Sequence, residues 1–348
     1  MKKIKQKEFA YLSPFIHTSR SVRSIYFTLI ILLLPQLALL FLQHDLYAVL
    51  NIFSATTATL ICQGIVYYAE KSTFTIPLQA ILQGLFIGFF MPNNIGFFFV
   101  FLLSFLGFFL TKVAFGKAGR WLHSSAIVLI IAYLSRPELF SLLSQTSITN
   151  NIGSVTTNAI AYIPSFSAQT QLLSTPLDSA VTSFLNAYIL NNLGVSLPEG
   201  YLSLFWNSSH LIPALRYNLL TIIASIILLS LKIYDYTISF LFLFAYSIFV
   251  YCFGKISTHG LFEGDMLYSL MSGGLLFITF FAMGEPHSFP KTTLFKVLSG
   301  IFIASFSFLL ARGEASFITI AFAILLLNVI SPSIEELEKK LKGKRSFI

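Results

Sequence analysis

Apolar segments long enough to cross a lipid bilayer fill this chain from about Ser24 to Pro332, and they limit its possible folds more than any other feature. A membrane-spanning helix needs roughly 17 to 25 predominantly apolar residues, and fewer where it is broken or re-entrant. We place ten such segments, at 24–42, 46–69, 76–91, 95–114, 123–135, 216–231, 236–253, 266–284, 294–311 and 316–331.

The basic residues indicate how these segments are oriented. If the N-terminus is cytoplasmic, 18 of the 22 Lys and Arg residues fall in the termini and loops on the cytoplasmic side. The four on the other side are Arg136, Arg216, Lys255 and Arg312. Because cations are costly to move across the membrane during insertion, this split predicts that both ends of the chain face the cytoplasm.

The composition agrees with a membrane protein. Hydrophobic residues make up 56% of the chain, charged residues only 10%, and the mean hydropathy is +0.80. A soluble domain has about a quarter charged residues. The fold class expected is an all-α, multi-pass integral membrane protein. The net charge of +8 lies mainly in the tails and inner loops, where it fits anionic lipid headgroups, so no nucleic acid is expected as a partner.

The ten segments divide five and five around a long polar stretch. An odd number of crossings in each part makes the second part enter the membrane from the opposite side, as in an inverted repeat. The predicted organisation is a cytoplasmic segment 1–23, a first membrane half 24–135, an extracytoplasmic loop region 136–215, a second membrane half 216–331 and a basic cytoplasmic tail 332–348. In the loop region, Ile160–Phe166 and Ala180–Leu190 are apolar enough to predict folded or surface-lying structure.

Two segments carry small or amide residues. The third begins at Pro77 and contains Gln79 and Gln83, and the eighth contains Ser272-Gly273-Gly274. Such residues permit close helix packing, and they also occur where helices break to line a site. Both interpretations remain open from the sequence.

Few residues carry an obvious chemistry of their own. The six histidines are scattered, with no pair at a ligand spacing, so no metal site is expected. Cys62 and Cys252 lie within apolar segments and are expected to be packing residues. The chain has no nucleophile elbow and no phosphate-binding glycine loop, and hydrolase or kinase chemistry is unsupported.

Four stretches point to a known family when taken in their order and spacing. They are residues 12–22 (LSPFIHTSRSV), 174–178 (STPLD), 272–286 (SGGLLFITFFAMGEP) and 322–332 (FAILLLNVISP). Together they resemble the NqrB/RnfD family, most closely an RnfD-like member that has diverged. Members are membrane subunits of the Na⁺-translocating NADH:quinone oxidoreductase and of the Rnf electron-transport complex. The resemblance implies ten helices in two inverted five-helix halves, like those of urea transporters.

The same resemblance implies a cofactor. Family members carry FMN joined through its phosphate to a Thr in the extracytoplasmic loop, and Thr175 is the matching position here. Ser272, Gly273 and Gly274, with the Glu285-Pro286 turn, are the residues that the resemblance places along the site. No catalytic residue is indicated.

The flavin-attachment pattern is only partly present. The family has an acidic residue six positions before the Thr, Ser or Thr three before it and Ala directly before it, where this chain has Gln169, Leu172 and Ser174. A second frame at Thr157 matches at Ser154 but has Asn158 in place of the Pro. Thr175-Pro176-Leu177-Asp178 is also a good helix start, with Thr as N-cap and Pro first in the helix. Flavin attachment and helix capping both remain open at Thr175.

These features predict an RnfD-like subunit of an ion-translocating electron-transport complex in the inner (cytoplasmic) membrane. The other subunits of that complex and the lipid bilayer are its expected partners. Two alternatives stay open: a small-solute channel or transporter of the same inverted-repeat fold, and a scaffold subunit without flavin.

Overall fold

The computed structural model describes residues 21–69, 77–115, 122–140, 176–193, 201–206, 210–231, 236–253, 266–283, 292–311 and 317–345. All regular structure in these ranges is helical, which confirms the all-α class. The helices there are α1 Val22–Leu42, α2 Leu46–Ala69, α3 Leu78–Phe90, α4 Phe97–Phe109, α5 Ser124–Ser135, α6 Pro176–Leu185, α7 Asn218–Ser230, α8 Thr237–Phe253, α9 Met266–Ser272, α10 Leu275–Phe277, α11 Thr293–Ala311 and α12 Phe317–Arg345.

Each of the ten predicted apolar segments contains a helix from this set. Segment 266–284 differs from a single span, because α9 and α10 share it and a π-helical turn, Ile278–Ala282, follows α10. One further helix, α6, lies in the predicted loop region and continues as a π-helical turn through Asn186–Leu190. The folded structure predicted at Ala180–Leu190 is therefore confirmed, while Ile160–Phe166 lies outside the described residues.

The last helix is longer than the sequence predicts. We expected the helix to end near Ser331-Pro332, but α12 contains Pro332 and continues to Arg345. Proline removes one backbone donor and crowds the preceding turn. The residues after it are mostly Glu, Lys and Leu, which are strong helix formers and favour continuing the helix.

Large apolar side chains cover the outside of the helices. Phe98 on α4, Phe244 on α8, Leu309 on α11 and Val329 on α12 are each about two-thirds or more exposed. Proteins that live in water rarely expose so much apolar surface. By length and composition alone, α1 and α2 can cross a bilayer, and most of the other helices are shorter apolar ones.

Glycines let neighbouring helices approach closely. A Cβ added at Gly88 of α3 would lie 2.5 Å from the Cα of Ile52, and one added at Gly84 would lie 2.6 Å from the Cα of Thr56. Both contacts are with the backbone of α2, which cannot move aside. The spacing between α2 and α3 therefore depends on these two glycines.

The helices form two groups that meet along one junction. We call α1–α5 the first half and α7–α12 the second half. Across the junction, α12 packs against α5 and α1 packs against α7. A single large hydrophobic cluster includes buried residues from both halves.

Candidate site at the junction of the two halves

A break between α9 and α10 lies at the centre of the junction. The break falls at Gly274, whose φ of 69° and ψ of 14° are left-handed. An L side chain is strained in this conformation, whereas glycine is not. The nearest atoms to a Cβ at Gly274 would be on Phe90 and Leu215, at 3.4 and 3.5 Å, which is nearly ordinary contact. The backbone conformation, more than crowding, explains why a glycine stands here.

Neighbouring helices accept the backbone groups that the break sets free. The N–H of Phe317, the first residue of α12, donates to the carbonyl of Gly273 at 3.0 Å. The Nδ2 of Asn218 on α7 donates to the carbonyls of Met271 at 2.7 Å and Leu204 at 2.8 Å. These bonds satisfy the carboxyl end of α9 inside the protein and hold the break in place.

Phenylalanine rings close the junction beside the break. This aromatic cluster consists of Phe86, Phe89 and Phe90 of α3, Phe277 and Phe281 of the second half, and Phe317 of α12, all fully buried. The ring centroids of Phe90 and Phe317 are 4.6 Å apart, and those of Phe90 and Phe277 are 5.2 Å apart. Contacts of this length leave no room for water between α3 and the second half.

A small cavity adjoins the aromatic cluster. Its volume is about 10 Å³, enough for roughly one water molecule. Phe86 and Phe90 form one wall, His123 and Ser125 supply polar groups, and aliphatic residues of α5, the π-helical turn and α12 complete it. The cavity therefore touches both halves.

His123 stands directly before α5 and is 1% exposed. Its Nε2 lies 3.3 Å from the carbonyl oxygen of Ala282, and its Nδ1 lies 2.7 Å from the hydroxyl of Ser125. A carbonyl oxygen only accepts, so Nε2 carries a hydrogen. In the neutral ring, Nδ1 then accepts from the Ser125 hydroxyl. The imidazole thus bridges the start of α5 and the end of the π-helical turn.

A second polar cluster joins the halves at the other end of the helices. The Nη2 of Arg216, just before α7, lies 2.6 Å from Oδ2 of Asp45, just before α2. Asn93 donates through Nδ2 to the same oxygen at 2.6 Å, and the N–H of Ala48 donates to Oδ1 of Asp45 at 3.3 Å. We call Asp45, Asn93, His210 and Arg216 the charged cluster.

The surroundings of the charged cluster set the ionisation of its members. Burial raises the pKa of the Asp45 carboxyl, but Arg216, with Ala48 and Asn93, outweighs this and holds the pKa below its usual value. Burial, helped by the Arg216 charge, lowers the pKa of His210 to about 4. At neutral pH the cluster contains a carboxylate, a guanidinium and a neutral imidazole.

Further hydrogen bonds continue this connection along α1 and α7. Gln36 on α1 donates through Nε2 to the hydroxyl of Thr221 on α7 at 3.0 Å. The hydroxyl of Tyr217 donates to Oε1 of Gln43. The two halves are therefore joined by specific polar contacts as well as by apolar packing.

The structure brings together only part of the site predicted from the sequence. Ser272, Gly273 and Gly274 all lie at the helix break, and the possibility that these small residues mark a broken helix is confirmed. Their contact with a cofactor stays a prediction. Thr175, Thr157 and Gln169 lie outside the described residues, as does the Glu285-Pro286 turn.

The helix start predicted after Thr175 is present. Helix α6 begins at Pro176, the residue that follows it. Proline at the first helical position is favourable because its missing N–H has no partner to lose there.

Two groupings were missed by the sequence analysis. His123 was counted among scattered histidines, and Arg216 among the few extracytoplasmic basic residues. One signal in the sequence was Asp45 and Arg216 as opposite charges, each at the extracytoplasmic edge of an apolar segment. For His123 the signal was a polar His-Ser-Ser sequence at the start of an unusually short segment.

Comparison with known proteins agrees with the fold and the residue pattern. Residues 10–343 match the model of the NQR2, RnfD, RnfE family. The chain is also 21% identical over 332 residues to the RnfD subunit of the proton-translocating ferredoxin:NAD⁺ oxidoreductase complex of Clostridium ljungdahlii. That alignment covers 95% of this chain and 94% of the relative. The chain therefore belongs to the NQR2, RnfD, RnfE family, whose members are membrane proteins.

Proposed function

We propose that the chain is the RnfD-like membrane subunit of an ion-translocating electron-transport complex in the cytoplasmic membrane. The complex would couple electron transfer to the movement of Na⁺ or H⁺, and its other subunits would be this chain's partners. Family membership over nearly the whole chain supports the proposal, as does alignment with the RnfD subunit of a proton-translocating complex over almost all of its length.

The observation that carries the proposal is the broken helix at Gly274 beside a closed aromatic cluster and a small polar cavity. Broken helices in transport proteins place backbone polar groups where an ion or substrate passes. Hydrophobic constrictions in channels close a pore by excluding water. The junction has both features, so it is the place where an ion would cross.

The junction is closed in this structure. Passage of an ion would require the Phe90, Phe277 and Phe317 rings to separate, and α9 and α10 can turn about Gly274 without bending a continuous helix. Electron transfer in the complex would supply the energy for this change. An electron-transport subunit needs such a gate, because an open pore would dissipate the ion gradient.

The packing of the two halves supports an inverted repeat. In the first half α4 packs against α2 and α5, and in the second half α11 packs against α8 and α12. These pairs correspond when the five segments of each half are matched in order. We propose that the halves have opposite orientations and that both chain termini are cytoplasmic.

The orientation can be tested by labelling single cysteines. In a background lacking Cys62 and Cys252, Ser147→Cys should react with an impermeant thiol reagent in intact cells. Lys117→Cys should react only after the membrane is permeabilised. The reverse pattern would overturn the proposed topology.

We further propose that FMN is attached at Thr175. The start of α6 directly after this residue fits the group, because backbone N–H groups at a helix N-terminus favour a phosphate. The Thr175 hydroxyl would be the point of attachment and the first turn of α6 would orient the phosphate. When bound, FMN would supply one- and two-electron transfer, and the chain would position it outside the cytoplasmic face.

Affinity purification from the native membrane tests the subunit assignment. A tagged chain should bring down the other subunits of the complex, identified by mass spectrometry, and its yield should rise when they are co-expressed. A chain that purifies alone, stays monodisperse and moves a small solute in liposomes would instead be a channel.

A further inference from the structure

The buried imidazole at the junction has a chemistry that the proposed function leaves unassigned. We infer that His123 is a proton-binding residue of the junction and that the ion moved there is H⁺. This inference rests on the proposed function, because it names the ion for the same site.

The hydrogen bonds of His123 fit both forms of an imidazole. The Ala282 carbonyl only accepts, so Nε2 keeps its hydrogen in either form. The Ser125 hydroxyl can donate to Nδ1 when the ring is neutral and can accept from it when the ring is charged. Rotation of one hydroxyl therefore lets Nδ1 gain or lose a proton while both hydrogen bonds persist. Imidazole is the side chain best suited to exchange protons near neutral pH.

The cavity suits a proton better than a sodium ion. A metal cation that leaves water needs several oxygen atoms to replace its hydration shell. Around this cavity the oxygens close to the imidazole are the Ser125 hydroxyl and the Ala282 carbonyl, and both bond to it. The volume of about 10 Å³ holds about one water. One water beside Nδ1 is sufficient to bring or remove a proton.

The other ionisable groups on the surrounding helices lie away from the imidazole. Helix α3, α10 with its π-helical turn, and the part of α12 before Glu335 have no titratable residue. Lys112, in the π-helical turn after α4, lies 5.7 Å from the ring centroid of Phe108. On α5 itself, Tyr133 packs against Phe140 towards the other end of the helix. Among the described residues lining the cavity, His123 is the titratable one.

The proton step is balanced by water on both sides. A hydronium ion from the cytoplasmic side transfers its proton to Nδ1, forming one N–H bond and leaving water. When the junction opens, Nδ1 transfers that proton to the cavity water, the N–H bond breaks and the neutral ring returns. No electron moves in either step.

Nitrogen NMR of the chain alone in lipid vesicles tests the site without the complex. With ¹⁵N-labelled histidine, the resonance lost in His123→Gln identifies the ring. We expect a neutral ring with hydrogen on Nε2 at high pH and a doubly protonated ring at low pH. A ring that keeps one form over the whole pH range in which the chain stays folded would overturn the inference.

Ion transport by the reconstituted complex tests the role of the site. His123→Gln should lower electron-driven H⁺ accumulation at least tenfold, while electron transfer continues when a protonophore is present. Thr111→Val is the matched control, because it removes only the neighbouring bond to Ser124 at 2.9 Å and should leave accumulation unchanged. Normal H⁺ accumulation by His123→Gln, or ²²Na⁺ uptake by the wild type that survives a protonophore, would overturn the inference. The NMR result does not depend on assembly of the complex, so the two proposals can fail separately.

Discussion

Arg216 and Asp45 form an ion pair of 2.6 Å that joins the residue before α7 to the residue before α2. Their side chains are only 5% and 17% exposed, and Asn93 donates to the same carboxylate oxygen. Because successive helices run in alternating directions, this pair lies at the opposite end of the junction from His123. The junction is thus held by charge at one end and contains an imidazole at the other.

Removing one member of this pair should destabilise the protein strongly. Asp45→Asn or Arg216→Met leaves a buried charge without its partner, and we expect the free energy of unfolding to fall by about 2–4 kcal/mol. The double variant leaves no unpaired charge and should lose less than the sum of the single variants. Denaturant titration in detergent micelles measures this. Strictly additive losses would show that the pair does not act as a unit.

His210 should make the protein less stable in mild acid. Its pKa is lowered to about 4 in the folded chain, from 6.5, so the unfolded chain binds more protons between these values. Stability should therefore decrease as the pH falls from about 6.5 to about 4, by up to about 3 kcal/mol. His210→Asn should flatten this part of the curve of melting temperature against pH. An unchanged slope in the variant would contradict the buried, neutral state of His210.

Two glycines provide a matched test of the packing between α2 and α3. Gly88→Ala would place a Cβ 2.5 Å from the Cα of Ile52 and should cost about 2 kcal/mol or more. Gly64→Ala on α2 meets no atom within 4 Å and should be neutral or stabilise the helix by up to about 1 kcal/mol. Unfolding in detergent compares the two variants. Equal losses from both would argue against the close packing of α2 and α3.

The helices could be predicted from the sequence because each depends on residues close together in the chain. Apolar segments give α1 and α2 almost to the residue, and Pro176 gives the start of α6. The local pattern was misleading at Pro332, where strong helix formers on the following turns compensate for the lost hydrogen bond.

The polar groupings could not be predicted because their partners are distant in sequence. His123 bonds to the carbonyl of Ala282, 159 residues away, and a carbonyl oxygen leaves no mark in the sequence. Asp45 and Arg216 meet only because the turn after α1 and the residues before α7 lie side by side. Gly274 had two possible explanations, and only its backbone angles distinguish a helix break from close packing.

The flavin proposal makes a graded prediction at Thr175. The transferase pattern lacks its acidic residue, so the wild type should carry covalent FMN in less than stoichiometric amount. Gln169→Asp with Leu172→Ser should increase it. Flavin fluorescence of the denatured protein band and peptide mass analysis measure attachment, and Thr175→Val should abolish it. Fluorescence that survives Thr175→Val and disappears with Thr157→Val would move the attachment to Thr157.

Electron-driven ion accumulation in membrane vesicles tests the central claim most directly. Reduced ferredoxin and NAD⁺, the pair in the name of the Clostridium ljungdahlii relative, can serve as donor and acceptor. Vesicles from cells that make this chain should accumulate ions when the donor is added. Vesicles from cells lacking the chain should not, and its re-expression should restore accumulation. Equal accumulation with and without the chain would contradict its assignment as the ion-translocating membrane subunit.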